Sequence, residues 1–194
     1  MIWNKKLFLL IFPFLLWFNP CAAQQKYERE YSIKASAVPK KAVEFINSVF
    51  KNEKIRWYGE ESLTATTIEA KLKSGGKSYS IEFDKSGEIQ DVEMLIAFKD
   101  ISTGTRKAIE RNLGDKFKSY KIRKVQRQWS GSEGDLKQAL KSGNPSKSVV
   151  TRYELVLKGR KKSVTNYYEV LFGSKGAIVS ISEIVQRNSD NLIY

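Results

Sequence analysis

The expected fold is decided by a pattern at residues 79–89, Tyr79-x-Ile81-x-Phe83-x-x-x-Gly87-x-Ile89, which returns at an offset of 89 as Tyr168-x-Val170-x-Phe172-x-x-x-Gly176-x-Ile178. Apolar residues at every second position indicate a strand with one buried face. The glycine that follows is typical of a turn into the next strand. Self-similarity over this length indicates two copies of one structural unit.

A helix is expected before each copy of this pattern. Apolar residues recur at helical spacing, and the two sets match at a constant offset of 67: Ala42, Ile46, Phe50 and Ile55 against Ile109, Leu113, Phe117 and Ile122. The first helix is predicted to begin at Val38-Pro39, where proline suits the first turn. The second is predicted to be capped by Ser102 or Thr103.

Alternating segments between turn residues predict eight strands. In the first half they cover residues 54–58, 66–73, 78–84 and 88–98. In the second half they cover residues 120–129, 151–158, 164–172 and 177–185, with a bulge near Arg123-Lys124 where the alternation breaks. A polar insertion at 130–147 separates two of these strands and is predicted to hold a short helix at 135–141.

The predicted fold class is therefore α+β. Two tandem α-β-β-β-β units, 38–100 and 101–194, are expected to join their antiparallel sheets into one curved sheet with the helices packed on one face. Residues 24–37 precede the first unit as a polar arm, either mobile or a short edge strand. The alternative to duplication is two unrelated sheets that share common strand residues.

The first 23 residues are predicted to be a secretory signal peptide. Lys5 and Lys6 precede an apolar run from Leu7 to Phe18, and a cleavage site follows Ala23. This indicates a periplasmic or secreted protein without a transmembrane segment after cleavage. An uncleaved anchor is one alternative, and a lipoprotein attached through Cys21 is another, which the large residues before this cysteine disfavour.

The composition excludes several kinds of catalysis. The chain has no His, and its single Cys lies within the predicted signal peptide, so no Ser-His-Asp triad, Cys-His pair or His/Cys zinc site is possible. Ser48-x-x-Lys51, Lys141-Ser142-Gly143 and Ser189-Asp190-Asn191 resemble the signatures of penicillin-recognising enzymes but stand in the wrong order. We therefore predict no enzymatic activity, no catalytic residue, no metal and no cofactor.

Charge divides the mature chain into two unlike halves. Residues 24–100 hold 13 Lys and Arg and 13 Asp and Glu, whereas residues 101–194 hold 19 and 8. Basic and aromatic residues on the strands of the second half predict a cationic binding face, while Asp91 and Glu93 are expected to be solvated surface acids. The candidate binding residues are Lys121, Arg123, Lys124, Arg127, Trp129, Arg152, Lys158, Tyr167, Leu171 and Trp57. The alternatives are a solvated basic face and, for the two tryptophans, a place in the core.

The order of these features over residues 38–185 resembles the PepSY-like and β-lactamase-inhibitor-like (BLIP-like) proteins of the bacterial envelope. The resemblance rests on the Val-Pro helix start, the tryptophan-containing strand and the repeated Tyr-x-Ile-x-Phe hairpin that follow a signal peptide. It implies a tandem α/β fold with a concave sheet and leaves the function open. The named inhibitor is disulfide-bonded, and the mature chain lacks Cys.

Two functions remain open at this point. The first is an exported binding module that recognises a protein or an anionic envelope component on its open sheet face. The second is an inhibitor or regulator of a secreted hydrolase, such as a protease or β-lactamase, with residues 130–147 as the inhibitory loop. Nucleic acid is not expected as a partner of an exported chain, and the sequence does not indicate the oligomeric state.

Overall fold

A computed structural model describes residues 24–26, 28–62 and 65–185. The predicted signal peptide lies outside these residues. The described part combines helices with one large, mainly antiparallel sheet, so the α+β class is confirmed. None of its helices is long and apolar enough to cross a membrane.

Three helices and ten strands make up the described chain. The helices are α1 (Lys40–Val49), α2 (Thr103–Lys116) and α3 (Glu133–Ser142). The strands are β1 (Gln24–Lys26), β2 (Glu28–Ser32), β3 (Arg56–Ser62), β4 (Thr66–Ser74), β5 (Lys77–Phe83), β6 (Ile89–Leu95), β7 (Ser119–Ser130), β8 (Val150–Lys161), β9 (Val164–Gly173) and β10 (Ile178–Ile184).

Most element starts agree with the sequence prediction. Pro39 precedes α1 directly, and the Ser102 hydroxyl caps α2 by accepting from the Thr105 N–H. The predicted bulge is present, because the register of β7 against β8 shifts between Ile122 and Lys124. The order of one helix followed by four strands occurs twice, with α3 inserted between β7 and β8. Duplication of one unit stays a prediction.

The sheet is strongly curved. Its strand order is β1-β10-β9-β8-β7-β6-β5-β4-β3-β2, so β1 and β2 pair with opposite ends although one residue separates them in sequence. Two residues of extended chain span only about 7 Å, and the two ends of the sheet therefore lie close together. Of the two alternatives for the arm at 24–37, the edge strand is the one that the structure contains.

The helices cover one face of the sheet and define two hydrophobic cores. The first core lies under α1 and α3 and includes Phe45, Phe83 and Trp129. The second lies under α2 and includes Leu113 and Tyr168. Trp129 belongs to β7, at the start of the second half, yet it packs into the first core. On the opposite face of the sheet, called the inner face below, no helix of the described residues lies.

Two glycine turns bring the sheet against the helices. Gly87 has a φ of +86°, and a Cβ there would lie 2.9 Å from the Pro39 Cβ and 3.0 Å from the Ala42 nitrogen. Gly176 has a φ of +83°, and a Cβ there would lie 2.8 Å from the Thr105 carbonyl oxygen. Each turn therefore needs glycine both for its backbone conformation and for its close approach to α1 or α2.

We expect Gly87→Ala and Gly176→Ala each to lower the free energy of unfolding by about 2–4 kcal/mol, because strain and overpacking act together. Gly75→Ala is the matched control, because Gly75 has a φ of +55° but nothing within 4 Å of an added Cβ. Its cost should be about 1 kcal/mol. Urea denaturation of the three variants measures this, and equal losses at all three positions would contradict the packing argument.

Candidate binding groove between strands β6 and β7

A groove forms because two neighbouring strands differ in length. β7 has 12 residues and β6 has 7. The two pair from Val92↔Trp129 to Leu95↔Gln126, and the Ile96 N–H then donates to the Val125 carbonyl. After that point the chain leaves the sheet, so residues 119–124 of β7 have β8 on one side and no paired strand of the described residues on the other. Ile122, Arg123 and Lys124 of this stretch line the groove.

A short turn is responsible for the early end of β6, which was predicted to continue to Phe98. The Asp100 carboxylate accepts a hydrogen bond of 2.9 Å from the Ala97 N–H and closes a 3₁₀ turn over Phe98–Asp100. Ser102 then caps α2. The prediction of a strand through Phe98 was wrong because this local side-chain bond competes with the sheet ladder.

The groove has an apolar surface and a cationic rim. It encloses about 760 Å³, and its apolar residues are Met94, Leu95, Ile96, Ala97, Phe98, Ile122 and Val125. Leu95 is 50% exposed, which is high for a large apolar side chain at the end of a strand. The cationic residues are Lys77, Arg123, Lys124 and Arg127, and Asp100 is the acidic one.

Within the described residues these charges are balanced only in part, by Asp100 and by the Glu93 carboxyl on which Lys124 acts. The carboxylate of Asp100 already accepts the Ala97 N–H. In the described part of the chain, none of the ion pairs involves Lys77, Arg123, Lys124 or Arg127. Four cations around an exposed apolar surface favour an anionic partner that also carries apolar groups.

The ten candidate binding residues lie in three regions of the structure, and Lys124 belongs to two of them. Arg123, Lys124 and Arg127 meet at the groove. The strand register places a second set on the inner face, as expected from its alternation: Lys121, Lys124, Arg152, Lys158, Tyr167 and Leu171. On that face Lys121 of β7 and Lys158 of β8 are directly opposite each other. Their role in binding stays a prediction.

The third place is the core, where Trp57 and Trp129 lie. Trp57 is 8% exposed and contacts Phe83, and Trp129 is 1% exposed between the sheet and α3. Neither indole is accessible to a partner. The packing therefore favours the alternative given for both tryptophans, which is a place in the core.

The insertion at 130–147 also contributes to the core. Its helix α3 buries Leu136 and Ala139 almost completely and packs beside α1. Lys137 extends over the Phe45 ring, 5.4 Å from its centroid. An inhibitory loop needs an exposed, protruding segment, and most of this insertion is instead a packed helix.

Sequence reasoning missed Lys77, Leu95 and Phe98 as groove residues. Lys77 belongs to a distant hairpin in the sequence, and it reaches the groove only because β5 and β6 are paired. Leu95 and Phe98 were interpreted as ordinary strand residues. The available signal was the pair Asp100 and Ser102, two capping residue types that mark the chain's departure from the sheet.

The inner face is not a uniformly cationic surface. By strand register its acids are Glu30, Glu60, Glu69, Glu82, Asp91, Glu93, Glu154 and Glu169. The expectation of a cationic open face therefore holds only for the part of this face around Lys121 and Lys158. Alternation alone could have located these acids, six of which lie in the neutral first half of the mature chain.

Hydrogen bonds connect the acids at the centre of the inner face. Lys71 forms ion pairs with Glu30 and with Glu69, the latter at 3.0 Å. The Gln126 amide donates to Glu93 at 2.6 Å, and the Gln128 amide donates to Asp91 at 3.0 Å. Gln126 is only 4% exposed although no helix among the described residues covers this face, so the curvature of the sheet itself shields the network.

Glu93 is the most perturbed group in this network. Burial, together with the negative charges of Asp91, Glu169 and Glu69, raises the pKa of Glu93 from its ordinary 4.5 to about 8, against the opposing charge of Lys124. Glu93 is thus mostly protonated at neutral pH. The expectation that Asp91 and Glu93 are solvated surface acids was wrong for Glu93, because the curved sheet shields its carboxyl and raises its pKa.

Comparisons with known proteins give no functional assignment. No protein-family model matches the chain, and no curated protein matches it. Among solved structures, one match is a protein of Bacteroides eggerthii DSM 20697 with a provisional assignment to the periplasm, with a TM-score of 0.49, 12% identity, and coverage of 75% of this chain and 88% of that one.

A second solved structure is a BLIP-like protein from Bacteroides fragilis NCTC 9343. Its TM-score is 0.48 and its identity is 12%, over 79% of this chain and 91% of that one. Similarity of this degree says nothing about what this chain binds.

We expect the stability of the protein to fall as the pH rises from about 5 to about 8. The folded state keeps a proton on Glu93 in this range while the unfolded state loses it, so ionisation favours unfolding. Glu93→Gln should remove this part of the pH dependence. Urea denaturation of both proteins at pH 5, 7 and 9 checks it. The free energy of unfolding of the variant should increase relative to that of the wild type at each step, and a difference that does not change with pH would contradict the raised pKa.

Proposed function

We propose that this chain is an exported, non-enzymatic binding protein of the bacterial cell envelope, and that it recognises an acidic, partly apolar protein segment at the groove between β6 and β7. The observation that carries the proposal is the set of four cations that form no ion pair with the described residues, around an apolar groove that includes the half-exposed Leu95. The export part rests on the signal-peptide pattern of residues 1–23.

A protein segment suits the groove better than a small anion does. Small anions are held by convergent donors at close range, whereas the cations here surround a groove of about 760 Å³ with an apolar surface. A segment with alternating acidic and apolar side chains can contact the rim and the apolar surface together. The excess of basic residues in 101–194 would also speed its association.

The absence of enzymatic activity is part of this proposal. The sequence has no His and no Cys after the predicted signal peptide. Within the described residues no group of three or more Asp, Glu, His or Cys is placed to hold a metal ion. Glu93 has a raised pKa, but its carboxyl serves a hydrogen-bond network on the inner face, where it accepts from the Gln126 amide.

The test uses the acetylated, amidated peptide (Glu-Val)₃ as the probe and isothermal titration calorimetry as the measurement. We expect Arg123→Glu to weaken binding about tenfold and the triple variant Arg123→Glu, Lys124→Glu, Arg127→Glu to weaken it about a hundredfold, because each reversal replaces attraction by repulsion. The peptide (Lys-Val)₃ should not bind the wild type.

The matched control has the same change in net charge away from the groove: Lys107→Glu, Lys116→Glu, Lys175→Glu, three exposed positions. It should bind the peptide within about threefold of the wild type. Thermal unfolding of every variant verifies folding. Equal weakening by the groove triple and the control triple would reject the groove as the site.

A further inference from the structure

We propose that the ligand of the groove binds as an added β-strand, paired with the free edge of β7 at residues 119–122. This inference rests on the proposed function and specifies how the segment is held. The pairing positions are the ones that β6 would occupy if it continued past Leu95.

The free edge exists because β7 extends past β6. On its β8 side, β7 is paired from Ser119 to Ser130. On its β6 side, pairing begins only at Gln126, preceded by the bond from Ile96 to Val125. Four residues of free edge span about 13 Å, which is enough for a short strand.

The direction of the backbone groups follows from the alternation of an antiparallel ladder. The Val125 carbonyl faces β6, so the pair Val125↔Leu155 is not hydrogen-bonded. Strand β8 is unbroken, so counting along it from Leu155 shows that the backbone groups of Val156, Lys158 and Arg160 point toward β7. The bond from the Lys118 N–H to the Arg160 carbonyl agrees with this count. Lys121, opposite Lys158, therefore bonds to β8.

Tyr120 and Ile122, the neighbours of Lys121, direct their N–H and C=O groups away from β8, and Ile122 lines the groove. In the described part of the chain, no backbone hydrogen bond from outside β8 reaches either residue. An extended segment in the groove would satisfy these donors and acceptors. Such strand addition supplies main-chain affinity, while alternate side chains give specificity.

The side chains around the edge determine the ligand chemistry. Tyr120 and Ile122 lie on the helix-covered face, beside the apolar residues of the groove, and Lys121 and Lys124 lie on the inner face. An added strand thus meets apolar groups with one set of its side chains and cations with the other. The complementary ligand alternates apolar and acidic residues.

The basic side chains also explain how an open edge remains selective. Charged residues and bulges on an edge strand prevent pairing with arbitrary strands. Lys121 and the bulged Arg123 provide both devices here. They disfavour pairing of this edge with basic or purely apolar segments, whereas an acidic segment can pair with it.

The experiment measures amide hydrogen exchange by ¹H–¹⁵N NMR on the full mature chain, with and without saturating (Glu-Val)₃. We expect exchange of the Tyr120 and Ile122 amides to slow by about tenfold or more in the complex, because each gains a hydrogen bond. The Lys121 amide, already bonded to β8, is the internal control and should change little.

A second arm uses (Glu-Val)₃ with all its internal amides N-methylated, which keeps the side chains but removes the donors. Its binding should be at least about tenfold weaker. If the unmodified peptide binds with the expected dependence on Arg123 but the Tyr120 and Ile122 amides exchange as before, strand addition is wrong and the proposed function stands. If the peptide does not bind at all, both are rejected.

Discussion

The short pairing between β6 and β7 is the constraint on which the rest of the structure depends. It joins two groups of five strands, β2 to β6 and β7 to β10 with β1, each with its own hydrophobic core, through the register Val92↔Trp129 to Leu95↔Gln126. Trp129 strengthens this junction, because its side chain crosses from the second group of strands into the first core. The ten strands form one sheet only because these few residues pair.

The same junction creates the groove. If β6 continued alongside all of β7, no backbone edge would remain and the cations of β7 would lie on a plain sheet surface. The Asp100 carboxylate instead holds the chain in a turn at Ala97, and the second helix begins directly afterwards. A single side-chain hydrogen bond thus connects the topology of the sheet to its candidate function.

Curvature has a separate consequence on the inner face. A flat sheet without helices on one face would leave its polar residues in water, where Glu93 would have an ordinary pKa. Here the two ends of the sheet approach each other, and Ser80 and Gln126 are almost fully buried although no helix of the described part of the chain covers them. A charged group at that position is costly, and the protein responds by keeping Glu93 protonated.

The sequence by itself determined the local elements, because their signals are local. Pro39 and Ser102 start helices, Gly87 and Gly176 make turns, and the broken alternation at Arg123-Lys124 predicts the bulge. Only the tertiary structure decided which residues meet. Lys77 joins Arg127 in lining the groove, and Glu93 is shielded from water, through strand pairing and curvature. These depend on contacts between residues far apart in the chain and leave no periodic trace in it.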